Sequence, residues 1–224
     1  MQKKRIISPF TQAYEQLPKS LPIFPLANAL LTPDARLPLN IFEPRYLNMI
    51  ADALRGDRLI GMVQPKPEPT TIRDASAPTI YEIGCAGRIT DYAETDDGRI
   101  EIILSGLCRF AIRSELTSKR GYRVIEADWS AFAADYDEIE EPSADIYDAF
   151  INALRHFLES NDMPADWDLF KKLSTSSLVS SLVNVIPIET SERQILLEAD
   201  TLESRIRAFT AILAGTVSTS QTRH

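Results

Sequence analysis

The chain has 224 residues, of which 44% are hydrophobic and 25% are charged, and its formal net charge is −8. This hydrophobic fraction is sufficient for a folded core and is typical of a soluble globular protein. The negative charge repels phosphate backbones and therefore disfavours non-specific binding to nucleic acid. Residues 1–130 hold 17 Lys/Arg and 16 Asp/Glu, whereas residues 131–224 hold 7 and 16, which predicts two parts with different surfaces.

The N-terminus carries a basic segment, Lys3 to Arg5, but no apolar run of about 7 to 15 residues follows it as a signal peptide requires. No stretch reaches the length of a transmembrane helix either. We therefore predict a cytoplasmic chain without a membrane partner. Cys85 and Cys108 lie in apolar segments, which favours reduced, buried thiols over the alternatives of a disulfide or a reactive thiol.

The first part of the chain reads mainly as strands. Prolines in its first two apolar runs favour edge strands or strand starts, and Asp96-Asp97-Gly98 is a hairpin signal inside a longer β-rich run. Several short strands at this spacing are typical of a small antiparallel barrel or sandwich. The predicted strand regions are 22–26, 36–42, 58–64, 79–116 and 122–129.

One helix is predicted between these strands, because Pro44 suits a first helical turn and Gly56 suits a helix end. Glu43 then lies at the helix start, where the helix dipole favours a carboxylate. Arg45 in the first turn is not favoured by the dipole, so we expect it to need a carboxylate partner such as Glu43. A structural corner is favoured here over a ligand contact. The predicted apolar stripe is Tyr46, Met49, Ile50, Ala53 and Leu54.

Two segments read as connections. Residues 65–78 carry four prolines and little apolar content, which indicates a long loop that is either a functional flap or a disordered connection. Residues 133–143 are acidic and lead into a proline, which indicates a linker. The predicted domains are therefore a β-rich part at 1–132, the linker at 133–143 and a helical part at 144–224.

The helical part shows a period of about 3.6 residues. A first helix is predicted at 146–158, a second near 165–173 and a third at 175–186, where Pro187 stops it. Ser191 and Gln194 form an S-x-x-Q capping pattern that predicts a fourth helix ending at Gly215. Its apolar seam is expected to pack within the same domain rather than against a partner chain. The seam is Ile195, Ala199, Leu202, Ile206, Phe209 and Leu213.

Three blocks of the sequence carry a family resemblance. They are "LPIFPLANALLTPDARLPLNIFEPRYLNMI", "YEIGCAGRITDYAETDDGRIEIILSGLCRF" and "RQILLEAD" followed by "RIRAF". Together they resemble the N-terminal substrate-binding domain of Lon proteases, from about residue 20 to 214. The resemblance implies an α+β fold: a small PUA-like antiparallel β-barrel with one inserted helix, followed by a C-terminal helical bundle. It also implies recognition of unfolded or degron-bearing protein segments.

The residues that Lon proteases use for chemistry do not match this chain. Gly56 and Gly61 have the spacing of a phosphate loop, but Met62 and Val63 follow where Lys and Ser/Thr are needed, and no Ser-Lys module is recognised. His156 and the terminal His224 make neither a metal site nor a triad. We therefore predict no catalytic residue, metal or cofactor. Whether a protease is a partner is left open.

Two other classes of function compete with the binding module. RNA binding is the alternative because PUA-like folds serve that role elsewhere, but no basic stripe with interleaved aromatics supports it. The remaining class is a hydrolase of a type that the motifs do not identify. The acidic cluster at 135–148 is read as a solvated linker rather than an acid/base pair.

The peptide site is predicted where the proline-rich strand at 22–26 meets the corner at 42–46, with the 65–78 loop as a flap. Aromatic residues at these spacings are also frequent core residues, which is the simpler interpretation of each of them. The predicted peptide-binding residues are Phe24, Pro25, Phe42, Glu43, Arg45 and Tyr46.

Overall fold

The computed structural model describes residues 10–67, 78–118 and 120–221. It divides the chain into two units, Met1–Glu138 and Ile139–His224. The first unit contains a six-stranded sheet and the second contains helices, so the predicted α+β class is confirmed. None of the described helices is long and apolar enough to cross a membrane.

All five predicted strand regions form strands, and the fourth divides into two around the predicted hairpin. Gly98 has a φ of 79°, a left-handed conformation that glycine adopts without a Cβ clash, so the chain reverses there between the two longest strands. The strands are β1 (Ser20–Pro25), β2 (Arg36–Ile41), β3 (Leu59–Val63), β4 (Ile83–Glu94), β5 (Ile100–Leu116) and β6 (Arg123–Asp128).

The sheet order is β2-β5-β4-β3-β1-β6, and β6 also pairs with β5. Hydrogen-bonded pairing therefore runs from β5 through β4, β3, β1 and β6 back to β5, while β2 forms an edge. The prediction of an antiparallel sheet is wrong for one pair, since β1 and β3 are parallel. The chain passes through β2 and a helix between them, and this crossover returns β3 alongside β1 in the same direction.

The prolines of β1 do not make it an edge strand, because β1 lies between β3 and β6. Its pairing with β6 covers Ser20–Ile23 and its pairing with β3 covers Ile23–Pro25. The N–H of Leu26 donates to Val63 O, so alternate residues of β1 face β3. The nitrogen of Pro22 therefore points toward β3, but before Ile23, where pairing with β3 begins. The nitrogen of Pro25 points toward the β6 side, but beyond Ile23, where pairing with β6 ends. Neither proline thus removes a hydrogen bond of the sheet. The edge prediction holds for β2.

Cys85 and Cys108 are buried free thiols, as predicted. In the β4–β5 pairing Cys85 lies opposite Arg109, and Ala86 lies opposite Cys108. Opposed residues share a face and neighbouring residues alternate, so the two thiols point to opposite faces of the sheet. This geometry excludes a disulfide between them.

The helix α1 (Pro44–Arg55) has Pro44 in its first turn and ends at Gly56, as predicted. Its buried residues are Tyr46, Met49, Ile50 and Ala53, whereas Leu54 is half-buried. Two short 3₁₀ helices, at Tyr14–Gln16 and Ser130–Tyr136, complete the described elements of the first unit.

The second 3₁₀ helix includes residues 133–136 of the segment predicted as a linker. Phe132 and Tyr136 are buried in it, and Asp135 accepts hydrogen bonds from the backbone N–H and the guanidinium of Arg109 on β5. Tyr136 donates its hydroxyl to the carbonyl of Gln12. These contacts explain why an acidic stretch packs against the sheet.

The second unit contains five helices among its described residues. The first and third agree with the sequence prediction, but the second is a single turn that Asp166 caps by accepting from two backbone N–H groups. Phe150 and Phe209 pack at 5.6 Å between the first and last helices. The helices are α2 (Ala144–Ser160), α3 (Trp167–Phe170), α4 (Thr175–Val185), α5 (Thr190–Glu198) and α6 (Leu202–Gln221).

The predicted fourth helix is wrong in three respects. It divides at Ala199, its capping box is formed by Glu189 and Glu192, and it continues past Gly215. The division occurs because Thr201 caps a new helix. The backbone N–H of Ser204 donates to the Thr201 hydroxyl at 3.0 Å, and the backbone N–H of Thr201 donates to the Ser204 hydroxyl at 3.0 Å. The apolar seam alone could not reveal this local cap.

Candidate functional site

The corner between β2 and α1 has the local geometry that the sequence predicts. Glu43 is the N-cap residue of α1, and Arg45 binds it with both Nε and a terminal nitrogen at 2.9 Å. The Arg45 guanidinium also lies 4.6 Å from the centre of the Tyr46 ring. The partner proposed for Arg45 is therefore confirmed, and the charge of the corner is compensated locally.

Phe24 of β1 packs against Tyr46 of α1, with ring centres 4.2 Å apart. The two residues are only 7% and 6% exposed, so most of each ring belongs to the core. Both residues line a cavity of about 230 Å³, and we call this pair its floor. Phe24 and Tyr46 thus pack in the core and also line the candidate site.

Five of the six residues predicted for the site line this cavity: Phe24, Pro25, Glu43, Arg45 and Tyr46. Phe42 is not in the lining. It is 63% exposed, and its ring lies 5.7 Å from the guanidinium carbon of Arg99. The corner therefore turns Phe42 away from its neighbours in sequence.

The remaining wall comes from residues that the sequence reading missed, Gly121, Tyr122 and Arg123, at the start of β6. Arg123 donates to the carbonyl of Pro78 at 2.8 Å and pairs with Glu115. No local pattern marks these residues, since only the antiparallel pairing of β6 with β1 brings them to the corner. Leu26 and Pro78 complete the lining.

The turn before β6 is anchored to α1 through Asp52. Tyr122 donates its hydroxyl to Asp52 at 2.9 Å, and Arg120 binds the other carboxylate oxygen at 2.9 Å. Arg120 also donates to the side-chain carbonyl of Asn48 at 2.9 Å. This network fixes the wall of the cavity relative to the helix that supplies its floor.

The electrostatics of the cavity favour a neutral occupant. Both arginines in the lining, Arg45 and Arg123, already pair with carboxylates, Glu43 and Glu115. Burial raises the pKa of the Tyr46 phenol above its ordinary value, while the Arg45 charge opposes this shift. Tyr46 therefore stays neutral at physiological pH. Among the described residues, no group of three or more metal-ligating side chains comes together.

Most of the segment predicted as a flap, residues 68–77, lies outside the described residues. Its two ends are paired, since Pro65 bridges to Ile80 and Lys66 N–H donates to Thr79 O at 2.7 Å. Pro78 reaches the cavity lining directly. The described ends of the segment are therefore held next to the site.

Known proteins are similar to this chain in sequence and in fold. Residues 20–215 match the family model of the ATP-dependent protease La (LON) substrate-binding domain. The chain is 29% identical to a Lon protease of Flavobacterium johnsoniae over 202 residues, which are 85% of this chain and 23% of that protein. It is 27% identical to Lon protease 2 of Myxococcus xanthus over 207 residues, which are 89% of this chain and 24% of that protein. The chain thus spans about a quarter of the length of these relatives.

Solved structures agree at the level of the fold. A crystal structure of a Lon N-terminal domain protein from Xanthomonas campestris has a TM-score of 0.59 at 24% identity, covering 86% of this chain and 97% of that one. The N-terminal domain of a Mycobacterium avium complex Lon protease also gives 0.59, at 13% identity, with 88% and 98% covered. Because the family model spans nearly the whole chain, the chain belongs to the family of LON substrate-binding domains.

Proposed function

We propose that this protein is a non-catalytic binding module that holds apolar segments of unfolded or degron-bearing protein chains. The observation that carries the proposal is the cavity beside β1, with an aromatic floor and arginines that are already paired. The family of substrate-binding domains supports a protein ligand. A protease would be a further partner, and a cytoplasmic location is part of the proposal.

The cavity is suited to one aromatic or large aliphatic side chain of such a segment. An engineered apolar cavity of about 150 Å³ holds a benzene ring, and this cavity is larger, at about 230 Å³. The floor pair of Phe24 and Tyr46 can stack on an incoming ring. Charged occupants gain little, because the paired arginines would have to exchange partners.

The backbone beside the cavity suits an extended chain. Pairing of β1 with β6 ends at Ile23, whereas β1 continues through Phe24 and Pro25. Pro25 offers only a carbonyl on this side, so it accepts a hydrogen bond but cannot donate one to a further strand. A client segment would therefore be held mainly through its side chains, which permits varied sequences.

The finer fold description is part of the same proposal. We interpret the cycle of pairings among β1, β3, β4, β5 and β6 as a PUA-like barrel. We also propose functional domains at 1–132 and 144–224 joined by the linker segment 133–143, whose first residues, 133–136, pack on the first domain. The RNA-binding alternative receives no support from the comparisons, and the arginines of the cavity are occupied by carboxylates.

The proposal is tested by titrating isotope-labelled protein with an unfolded peptide that contains one phenylalanine. We expect shifts of Phe24, Arg45 and Tyr46, and little weakening between low and moderate salt. Nucleic-acid binding falls steeply over that range, so collapse of binding with salt would overturn the proposal. Shifts confined to residues 144–224 would do the same.

Two variants sharpen this titration. Phe24→Leu removes one ring of the floor pair and should weaken binding of the phenylalanine peptide by about three- to tenfold, as the loss of an aromatic pair implies. Tyr92→Leu is the matched control, because Tyr92 is 53% exposed on β4 and does not line the cavity. Equal effects of the two substitutions would place the peptide elsewhere.

A further inference from the structure

A row of arginines crosses the sheet away from the cavity of the candidate site. Arg88 on β4 lies opposite Ser105 on β5, and Ser105 lies opposite Arg36 on β2. Side chains of directly opposed residues project from the same face, with Cβ atoms about 5 Å apart. On the other side Arg88 is opposite Leu59, and the carbonyl of the preceding Arg58 accepts from the N–H of Ile89 at 2.8 Å. Three arginines and a hydroxyl are thereby brought to one region.

The charges in this region are not balanced. Arg36 has a 3.5 Å contact with Asp91, and both side chains are well exposed. Among residues 10–67, 78–118 and 120–221, neither Arg58 nor Arg88 has a carboxylate within ion-pair distance. This contrasts with Arg45 and Arg123, which are both paired. Two cations thus share a surface of a protein whose net charge is −8.

Arg88 also has an unsatisfied donor. Its Nε is buried and makes no hydrogen bond with the part of the chain that the structure describes. Buried donors in native proteins are nearly always bonded, so this N–H has unused capacity for an acceptor. Burial, and then the like charge of Arg58, lowers the pKa of the Arg88 guanidinium.

Two hydroxyls lie beside these arginines. The hydroxyl oxygens of Thr90 and Ser105 are 3.3 Å apart, and Thr90 also donates to the carbonyl of Ile103 at 3.3 Å. With the Thr90 proton directed to that carbonyl, Ser105 donates to Thr90 Oγ1, and an anion oxygen beside Ser105 can accept this hydrogen bond instead. The register shift between Ile89 and Asp91 makes this arrangement possible, because it inserts Thr90 as an extra residue in β4.

We propose that Arg58, Arg88 and Ser105 bind a doubly charged tetrahedral oxyanion, of which phosphate is the simplest. Two guanidinium charges match two negative charges, and the orphaned Nε–H and the hydroxyl supply donors to different oxygens. A singly charged carboxylate would leave one cation uncompensated. The site is separate from the proposed peptide cavity and shares none of its lining residues.

The test is a titration of the full chain with inorganic phosphate at about pH 8, at constant ionic strength, followed through arginine side-chain N–H resonances. We expect a saturable shift of the Arg88 Nε–H signal together with the backbone signals of Thr90 and Ser105. Acetate is the second arm, and we expect it to bind at least tenfold more weakly. Equal binding of acetate and phosphate, or no saturable shift, would overturn the proposal.

Variants separate the site from general charge effects. Arg58→Gln, at an exposed position, should weaken phosphate binding by about tenfold or more, as loss of one charge-assisted contact implies. Arg88→Gln should abolish saturation if it folds, and Arg58→Gln keeps the test decisive if it does not. Arg113→Gln is the control, since Arg113 is already bound to Asp128. A comparable loss in Arg113→Gln would show non-specific screening and overturn the site.

Discussion

Buried arginines are held differently in the two units. In the first unit Arg109 is 4% exposed and forms a fork with the carboxylate of Asp135 at 2.7 to 3.2 Å. In the second unit Arg193 is also 4% exposed but donates to the carbonyls of Val183, Ile186 and Ile188. The comparison shows that a buried guanidinium requires acceptors on its fork and that helix-end carbonyls can provide them.

The second arrangement also stabilises helix ends. The carbonyls of Val183 and Ile186 lie at the end of α4, and Arg205 similarly donates to Leu196 O near the end of α5 at 2.8 Å. These carbonyls carry the negative end of the helix dipole, so a cation there is favourable. Burial lowers the pKa of Arg193, and the nearby charges of Glu189 and Glu192 act against this shift. The acidic second unit therefore contains cations that fix its helices.

The largest effect is expected from breaking the Arg109–Asp135 pair. Arg109→Met leaves the Asp135 carboxylate buried without its main partner and should lower the free energy of unfolding by about 3 to 5 kcal/mol. Urea unfolding measures this loss. The double variant Arg109→Met/Asp135→Leu should recover part of it, because neither charge remains although the backbone N–H of residue 109 loses its acceptor. Single variants that cost less than about 1 kcal/mol would contradict the assignment.

Arg193→Met should have a smaller effect, a loss of about 2 kcal/mol, because it leaves neutral carbonyls rather than a charge unsatisfied. The same unfolding measurement applies. Arg207→Met is the control, since Arg207 is exposed and forms an i,i+4 pair with Glu203, so a change within about 0.5 kcal/mol is expected. If Arg193→Met were as harmful as Arg109→Met, the distinction between the two arrangements would be wrong.

Sequence reasoning predicts the elements better than their arrangement. Alternation and helical period identify the strands and the apolar face of α1, because these patterns follow directly from backbone geometry. They contain no information on which strands pair, so the parallel β1–β3 contact was missed. The break between α5 and α6 was missed for another reason. It depends on a cap at Thr201, whose signal is weaker than the continuous apolar seam around it.

The candidate site was predictable where a single segment carries a local signal. Glu43, Arg45 and Tyr46 are set by the start of α1, and Phe24 lies in β1, which its prolines mark. Arg123 comes from the last strand, and only the register with β1 brings it there. Phe42 illustrates the opposite failure, since its sequence position is next to the site but its side chain lies outside the lining.

The carboxylate of Asp128, paired with Arg113 near the surface, should make the free energy of unfolding depend on pH. The backbone N–H of Ser130, then its hydroxyl and the Arg113 guanidinium, lower the pKa of Asp128 from 3.8 to about 2. Because the folded protein favours the ionised form, this contribution to stability is present above about pH 4 and is lost as the pH falls toward 2. Asp128→Asn should flatten the stability profile in that window. An unchanged profile between pH 4 and 2 would contradict the assignment, and Arg113→Gln should remove only part of the effect.

The smallest expected change in the free energy of unfolding comes from a glycine of the second unit, whose surroundings differ from those of a glycine in the first unit. A Cβ on Gly84 would lie 2.6 Å from both Met62 O and the Phe110 ring, so this glycine is required by close packing. A Cβ on Gly215 would meet nothing within 4 Å, and Gly215 lies inside α6 rather than at its end. Gly215→Ala should therefore raise the free energy of unfolding by about 0.5 to 1 kcal/mol, since alanine favours a helix interior.

Thermal or urea unfolding of Gly215→Ala checks this sign directly. Gly84→Ala is the matched substitution, and it should destabilise because the surrounding backbone and Phe110 must move. If Gly215 instead ended the helix in a left-handed conformation, as its position after the apolar seam first indicates, alanine there would be strained and the protein would lose stability. The sign of this small change therefore distinguishes a helix that continues to Gln221 from one that stops at Gly215.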